Sequence, residues 1–249
     1  MSVVRIAPDP STLAHDAAAQ VTTVLRAAVA QRGVAHAMFA SGNSQLEFLD
    51  LLVADPTVGW ESVIGFHMDE YVGIGTDHAA SFARYMQERI VDRARPRAFH
   101  LIDGLAVPAL ECARYAGLLR EFPLDLCVLG VGENGHLAFN DPAVANFEDP
   151  EDLKLVELDV ACREQQVGEG HFPGFDAVPI HAITVTIPAL LRARSVVVIV
   201  PEARKAVPVA AAIDGPVTTA CPASILQDCD HATMYLEPAS AARLRSSGA

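Results

Sequence analysis

The sequence predicts an α/β domain with a mostly parallel sheet covered by helices on both faces. Three observations carry this. Short apolar runs alternate with stretches of helical periodicity along almost the whole chain. A chain of 249 residues, 51% hydrophobic and 20% charged, is long and apolar enough to bury a large core. No repeat, low-complexity tract or linker divides it, so residues 1–249 are expected to form a single domain. Alternating strands and helices imply right-handed crossovers between parallel strands.

The elements follow in order. Leu13, Ala17, Val21, Leu25, Ala28 and Val29 recur at helical spacing between Pro10 and Arg32, and Gly33 supplies a stop. Ala35 to Ala40 reads as a buried strand, ending in the polar loop Ser41-Gly42-Asn43-Ser44 before a helix carrying Leu46, Phe48, Leu49, Leu51 and Leu52. A strand at Val63 to Met68, a helix at Ser81 to Arg93, a strand at Phe99 to Ile102 and a helix at Pro108 to Arg120 continue the alternation. Leu124 to Leu129 is a strand that runs into Gly130-Val131-Gly132-Glu133-Asn134-Gly135-His136. Strands at Ile183 to Thr186, Ser195 to Val200 and Thr233 to Leu236, with a helix from Glu202 to Ile213, complete the pattern. Asp141 to Pro179 is polar, rich in Pro and Gly and without a strong period, so it reads as a long excursion serving as lid, binding loop or static insert.

A net charge of −13 with no basic stripe argues against a nucleic-acid partner, whose affinity comes mainly from Lys and Arg on phosphates. The longest apolar stretches, such as Val196 to Val200, are far short of the ~20 residues of a membrane span. Met1 to Pro8 has no apolar signal core. The five cysteines, at 112, 127, 162, 221 and 229, are an odd number without zinc or redox spacing. Reduced thiols in the cytoplasm are expected. An acidic protein still binds an anion where one pocket gathers backbone N–H groups and a lysine.

Three polar segments sit at strand ends, where α/β sheets bind ligands. In Ser41-Gly42-Asn43-Ser44 a glycine permits close backbone approach and the following helix offers unpaired N–H donors. An ordinary helix cap has the same pattern. In His67-Met68-Asp69-Glu70-Tyr71-Val72-Gly73 two adjacent carboxylates follow an apolar strand; adjacent strand residues face opposite ways, so the two are not expected to share one role: either one enters a pocket while the other bonds neighbouring groups, or both are solvated turn carboxylates. In the third, Gly130 to Pro142, the glycine spacing does not fit a dinucleotide fingerprint, and His136 with a nearby carboxylate suits proton transfer near neutrality. No organic cofactor is called for. His67, Asp69 and His136 are metal-ligating types but lack the short spacing of zinc sites, so no metal is expected.

Together, Met68-Asp69-Glu70-Tyr71-Val72-Gly73, then His78 and Ser81-Phe82, and Gly135-His136-Leu137-Ala138-Phe139-Asn140-Asp141-Pro142 resemble the glucosamine-6-phosphate deaminase family, related to the 6-phosphogluconolactonases. The similarity runs from the Ser41 loop to Pro222-Ala223-Ser224. The resemblance implies a modified Rossmann-like fold and a small sugar-phosphate substrate. It further implies that Asp69 moves the substrate's C2 proton to C1, that His136 carries the ring-opening proton, and that Asp141, commonly Glu in the family, partners the histidine. Asn134 is expected to orient His136. Ser41, Gly42, Asn43, Ser44, Glu70, Gly135 and Lys205 are expected to bind substrate, Lys205 at the phosphate.

The chain departs from the family pattern in three places. Asn134 stands where some members have Asp, Asn43 and Gln45 alter the phosphate loop, and the phosphate-clamping arginine has no match between 163 and 171, Arg163 being offset. A sugar-lactone hydrolase and a weakly catalytic sugar-phosphate-binding regulator are the competing readings.

Overall fold

The computed structural model describes residues 2–168 and 170–245. Its strands are β1 (Val3–Ile6), β2 (Ala35–Phe39), β3 (Val63–His67), β4 (Asp69–Tyr71), β5 (Ala98–His100), β6 (Leu126–Leu129), β7 (Leu153–Glu157), β8 (His181–Val185), β9 (Ser195–Val200) and β10 (Ala232–Leu236). Its α-helices are α1 (Pro10–Arg32), α2 (Leu46–Ala54), α3 (Phe82–Met86), α4 (Asp92–Ala94), α5 (Pro108–Glu121), α6 (Val160–Gly168), α7 (Ile187–Leu191) and α8 (Ala206–Asp214).

Seven strands form a parallel sheet in the order β1-β10-β9-β6-β2-β3-β5. The chain winds outward from β2 through β3 to β5, then returns to the other side of β2 with β6. The β2/β6 seam is therefore the point where strand order reverses, and the loops after these strands open a crevice there. The two faces of the sheet carry separate cores. Met38, Phe66, Cys127, Leu129 and Val198 belong to one, and Leu25, Phe39, Leu49, Val128 and Ile199 to the other. Adjacent strand residues thus feed opposite cores, as a strand covered on both sides requires.

A second sheet, β4-β8-β7, is antiparallel and stands beside the first. It corrects two sequence readings. The strand expected at Ile183 to Thr186 belongs to this small sheet, and the excursion from Asp141 to Pro179 contains β7 and α6. Both elements are short, and Leu155 and Val160 are exposed, which blurs the periodicity that marks such elements. The edge strand β1 also escapes the pattern, because Val3 and Ile6 are exposed. The helix expected from Ser81 to Arg93 runs without interruption through a π segment at Gln87–Val91 that separates α3 from α4, and a 3₁₀ turn at Ala203–Lys205 precedes α8. Tyr71 is packed by Phe82, Phe139 and Phe172, an aromatic cluster that joins β4 to the loop after β6 and to the end of α6. Among the described residues no helix is long and apolar enough to cross a membrane.

Candidate active site

The crevice at the β2/β6 seam is lined by Ser41, Gly42, Asn43 and Ser44 on one side, by Asp69 and His136 on another, and by Lys205 beyond. Each wall has a local cause. Gly42 has φ 117° and ψ 166°, a backbone region that glycine alone occupies readily, and its carbonyl accepts from the Tyr85 hydroxyl at 3.0 Å. Behind the loop the buried Gln45 donates to Ser44 Oγ at 3.0 Å. The departures at Asn43 and Gln45 therefore leave a glycine-centred loop that faces the crevice.

Asp69 and Glu70 divide as strand alternation requires. Asp69 lines the crevice and is only 6% exposed. Its carboxyl is held well above the ordinary carboxylate range, first by burial and then by the neighbouring Glu70 charge. Glu70 turns the other way. Its oxygens accept from the Tyr71, Phe82 and Ala83 N–H groups and from the Ser81 hydroxyl at 2.7–3.2 Å, tying the start of α3 to β4. Expected to contact substrate, Glu70 instead lies outside the crevice lining, supporting its neighbour.

The third wall is a tight loop. Gly132 N–H donates to the His136 carbonyl at 3.0 Å, and the same glycine lies under the imidazole, where a Cβ would stand 2.2 Å from the ring. Gly135, at φ 83°, packs against Cys221, and its carbonyl accepts from Ala223 N–H at 2.8 Å. Gly135 shapes the loop without lining the crevice. His136 Nδ1 lies 2.9 Å from Asp141 Oδ1. Asn134 does not touch the imidazole in the way the sequence suggested. Its Nδ2 donates to Asp141 Oδ1 at 2.8 Å, and its Oδ1 accepts from the backbone N–H of His136 at 3.0 Å. The amide thus fixes the carboxylate and the main chain, and the ring only through them. Burial pushes the Asp141 carboxyl up, but the His136 ring, the Asn134 amide and the Cys162 thiol outweigh it and hold the group below its usual range.

Lys205 is 4% exposed, in the turn before α8. The turn starts at Glu202, at φ 82° and ψ 139°, a conformation that favours glycine, and its N–H donates to Glu237 Oε1 at 3.0 Å. Sequence reasoning missed Gln165, Gln166, His171 and Arg204, all of which line the crevice. Three of them come from α6 and the segment after it, where no period was legible. Tyr71 OH donates to Gln166 Oε1 at 2.7 Å, anchoring this wall to the aromatic cluster. The offset Arg163 is accounted for. Its guanidinium stacks 3.9 Å from the Phe175 ring centre and donates to the Phe175 and Val178 carbonyls, so it braces its own loop. His67, a possible ligand by type, is wholly buried, and its Nε2 accepts from Ile102 N–H at 2.8 Å. Burial lowers its pKa to about 3, keeping it neutral.

A carboxyl poised to take a proton, an imidazole backed by a carboxylate, and a glycine loop with a buried lysine suit acid–base chemistry on a small anionic molecule. The family model of glucosamine-6-phosphate isomerases and 6-phosphogluconolactonases matches residues 8–235. The chain belongs to that family. A glucosamine-6-phosphate deaminase from an Exiguobacterium species is 35% identical over 186 residues, 74% of this chain and 71% of the relative. One from Streptococcus suis is 33% identical over 206 residues, 82% of this chain and 86% of the relative. Two solved structures show the same fold. A monomeric glucosamine-6-phosphate deaminase superposes with TM-score 0.87 at 23% identity, covering 97% of this chain and 99% of that one. A 6-phosphogluconolactonase from Shewanella baltica gives TM-score 0.79 at 20% identity, covering 95% and 97%. The family's deaminase and lactonase branches share this architecture, so the side chains and not the fold separate the two reactions.

Proposed function

We propose that the chain is a cytoplasmic glucosamine-6-phosphate deaminase, converting glucosamine 6-phosphate and water to fructose 6-phosphate and ammonia. The observation that carries this reading is the raised, buried Asp69 carboxyl facing the same crevice as the His136–Asp141 pair. A lactone hydrolase needs a water activated beside a carbonyl and has no use for a second, separately tuned carboxyl. An amino-sugar isomerisation needs both groups.

In this reading the Ser41–Ser44 loop and Lys205 hold the phosphate. His136 carries a proton from the anomeric hydroxyl to the ring oxygen, opening the pyranose to the C1 aldehyde, while Asp141 stabilises the imidazolium formed on the way. Asp69 then takes the C2 proton, made acidic by the adjacent carbonyl, and returns it to C1. As the double bond moves, O1 gains a proton and the C2 amine loses one, leaving an imine at C2, where water adds and ammonia departs. A carboxyl raised toward the working pH is a stronger base than an ordinary one and still gives the proton back.

The test is a panel of amino-sugar phosphates and their unphosphorylated forms, with ammonia and ketose phosphate measured together. Stoichiometric release of both from glucosamine 6-phosphate supports the reading. Acid release from 6-phosphogluconolactone without ammonia from any amino sugar refutes it, and binding without turnover of either class transfers the chain to a regulatory role.

A further inference from the structure

We propose that His136, Asp141 and Cys162 form a site for a soft divalent cation such as Zn²⁺, through which such ions inhibit the protein. One ligand atom from each residue lies within 4.8 Å of the others. The site is not that of a cofactor, and it uses a cysteine to which the proton chemistry above assigns no role.

Asp141 is 1% exposed, and while Oδ1 meets both Asn134 and His136, buried Oδ2 meets no N–H or O–H group among the described residues and leaves the carboxylate only the weak thiol of Cys162 beside it. His136 Nδ1, though 2.9 Å from Asp141 Oδ1, makes no well-directed hydrogen bond. A buried carboxylate oxygen so weakly paired is costly, and a cation is one group that satisfies it. The third member, Cys162, is 1% exposed on α6 and brings its sulfur to the same carboxylate.

The donor set decides the class of ion. One sulfur, one imidazole nitrogen and one carboxylate oxygen match zinc, whose bonds to these atoms run about 2.0–2.3 Å, and are a poor match for Mg²⁺ or Ca²⁺, which take oxygen ligands. Three protein ligands leave a fourth position for water. On binding, the Cys162 S–H bond breaks, a Zn–S bond forms and the proton leaves to solvent. For Nδ1 to give its lone pair to the metal, the imidazole proton that faces Asp141 moves to Nε2, so Nε2 can no longer accept the ring-opening proton. Inhibition follows without occupation of the crevice.

The test uses Co²⁺ as the probe on the whole chain, followed spectroscopically in the absence of substrate. A thiolate-to-Co²⁺ charge-transfer band with tetrahedral visible bands, displaced by Zn²⁺ but not by Mg²⁺, is expected. Cys162→Ser should lose the band and weaken Co²⁺ binding by more than about tenfold, since even losses in the shell outside the ligands reach that size. Cys112→Ser, at the half-exposed cysteine on α5, should leave both unchanged. Absence of the band from the parent, or its persistence in Cys162→Ser, overturns the proposal. Anomalous scattering from a crystal soaked in Cd²⁺ supplies a readout independent of any variant. A peak among the three side chains supports the site, and a peak at another cysteine alone refutes it. None of these measurements involves the amino-sugar reaction, so the cation site fails or stands separately from the assigned activity, on which the inhibition alone rests.

Discussion

Substituting Gly132 by alanine isolates the geometry of His136 from the chemistry of its side chain. A Cβ at this position would lie 2.2 Å from both Cε1 and Nε2 of the imidazole and 2.3 Å from Cδ2. Carbon contacts settle near 3.5 Å, so the ring must retreat by roughly 1.3 Å. The ring is a side chain and can turn aside, and the φ of Gly132 lies outside the positive range, so the backbone tolerates the change. Stability should therefore fall by only about 1–3 kcal/mol, the usual range for overpacking. Catalysis should suffer more. A displacement of about 1 Å is enough to reduce a rate ~10²-fold. Steady-state ammonia release gives kcat, thermal unfolding gives stability, and both are needed. The expected result is a folded protein with kcat reduced ~10²-fold or more. A Gly132→Ala protein with kcat within threefold of the parent would show that His136 is not required at its observed position, and the assignment of the ring-opening step would fall with it.

Asp69→Asn should lower kcat by at least ~10²-fold while leaving substrate binding within about tenfold, because a base acts chiefly in the transition state; near-normal turnover would remove Asp69 from the mechanism. The same variant should change the pH dependence of stability. The folded pKa of Asp69 is raised, so its contribution is fully present below the unfolded value of 3.8 and is lost as pH rises through the folded pKa. The melting temperature of Asp69→Asn relative to the parent should therefore climb from acid to neutral pH, and a constant difference would contradict the burial argument. Lys205→Ala should raise KM for a phosphorylated sugar by ~10–100-fold, the size of a lost hydrogen bond to a charged group, with little change for the unphosphorylated analogue; equal effects on both would refute the phosphate role. Asn134→Asp should place a second carboxylate against Asp141 where an N–H now donates. The added negative charge should move the pH–rate limb governed by His136 to higher pH, and superimposed profiles would show that the amide does not couple to the pair.

The sequence alone determined most of the parallel sheet and which polar strand ends line its crevice. Strands buried on both faces read as unbroken apolar runs, and their polar ends at Ser41–Ser44, His67–Glu70 and Gly130–His136 mark the loops that meet at a switch point. Alternation along a strand also anticipated that Asp69 and Glu70 part company, although not which of them enters the crevice. That choice belongs to the second sheet. The pairing of β4 with β8 fixes how the strand is turned, and Glu70 is drawn to the start of α3 by four donors that lie up to 13 positions away. Other decisions were wholly tertiary. Gln166 and His171 reach the crevice because aromatic contacts around Tyr71 fold the 141–179 segment back over it, and no local period encodes such contacts. Arg163 braces its own loop through Phe175 instead of facing substrate, and Asn134 acts on the main chain and on Asp141 instead of the imidazole. Periodicity in a chain reports which side of an element is buried; which polar groups meet across elements depends on how distant segments pack, and most of this site is made of such meetings.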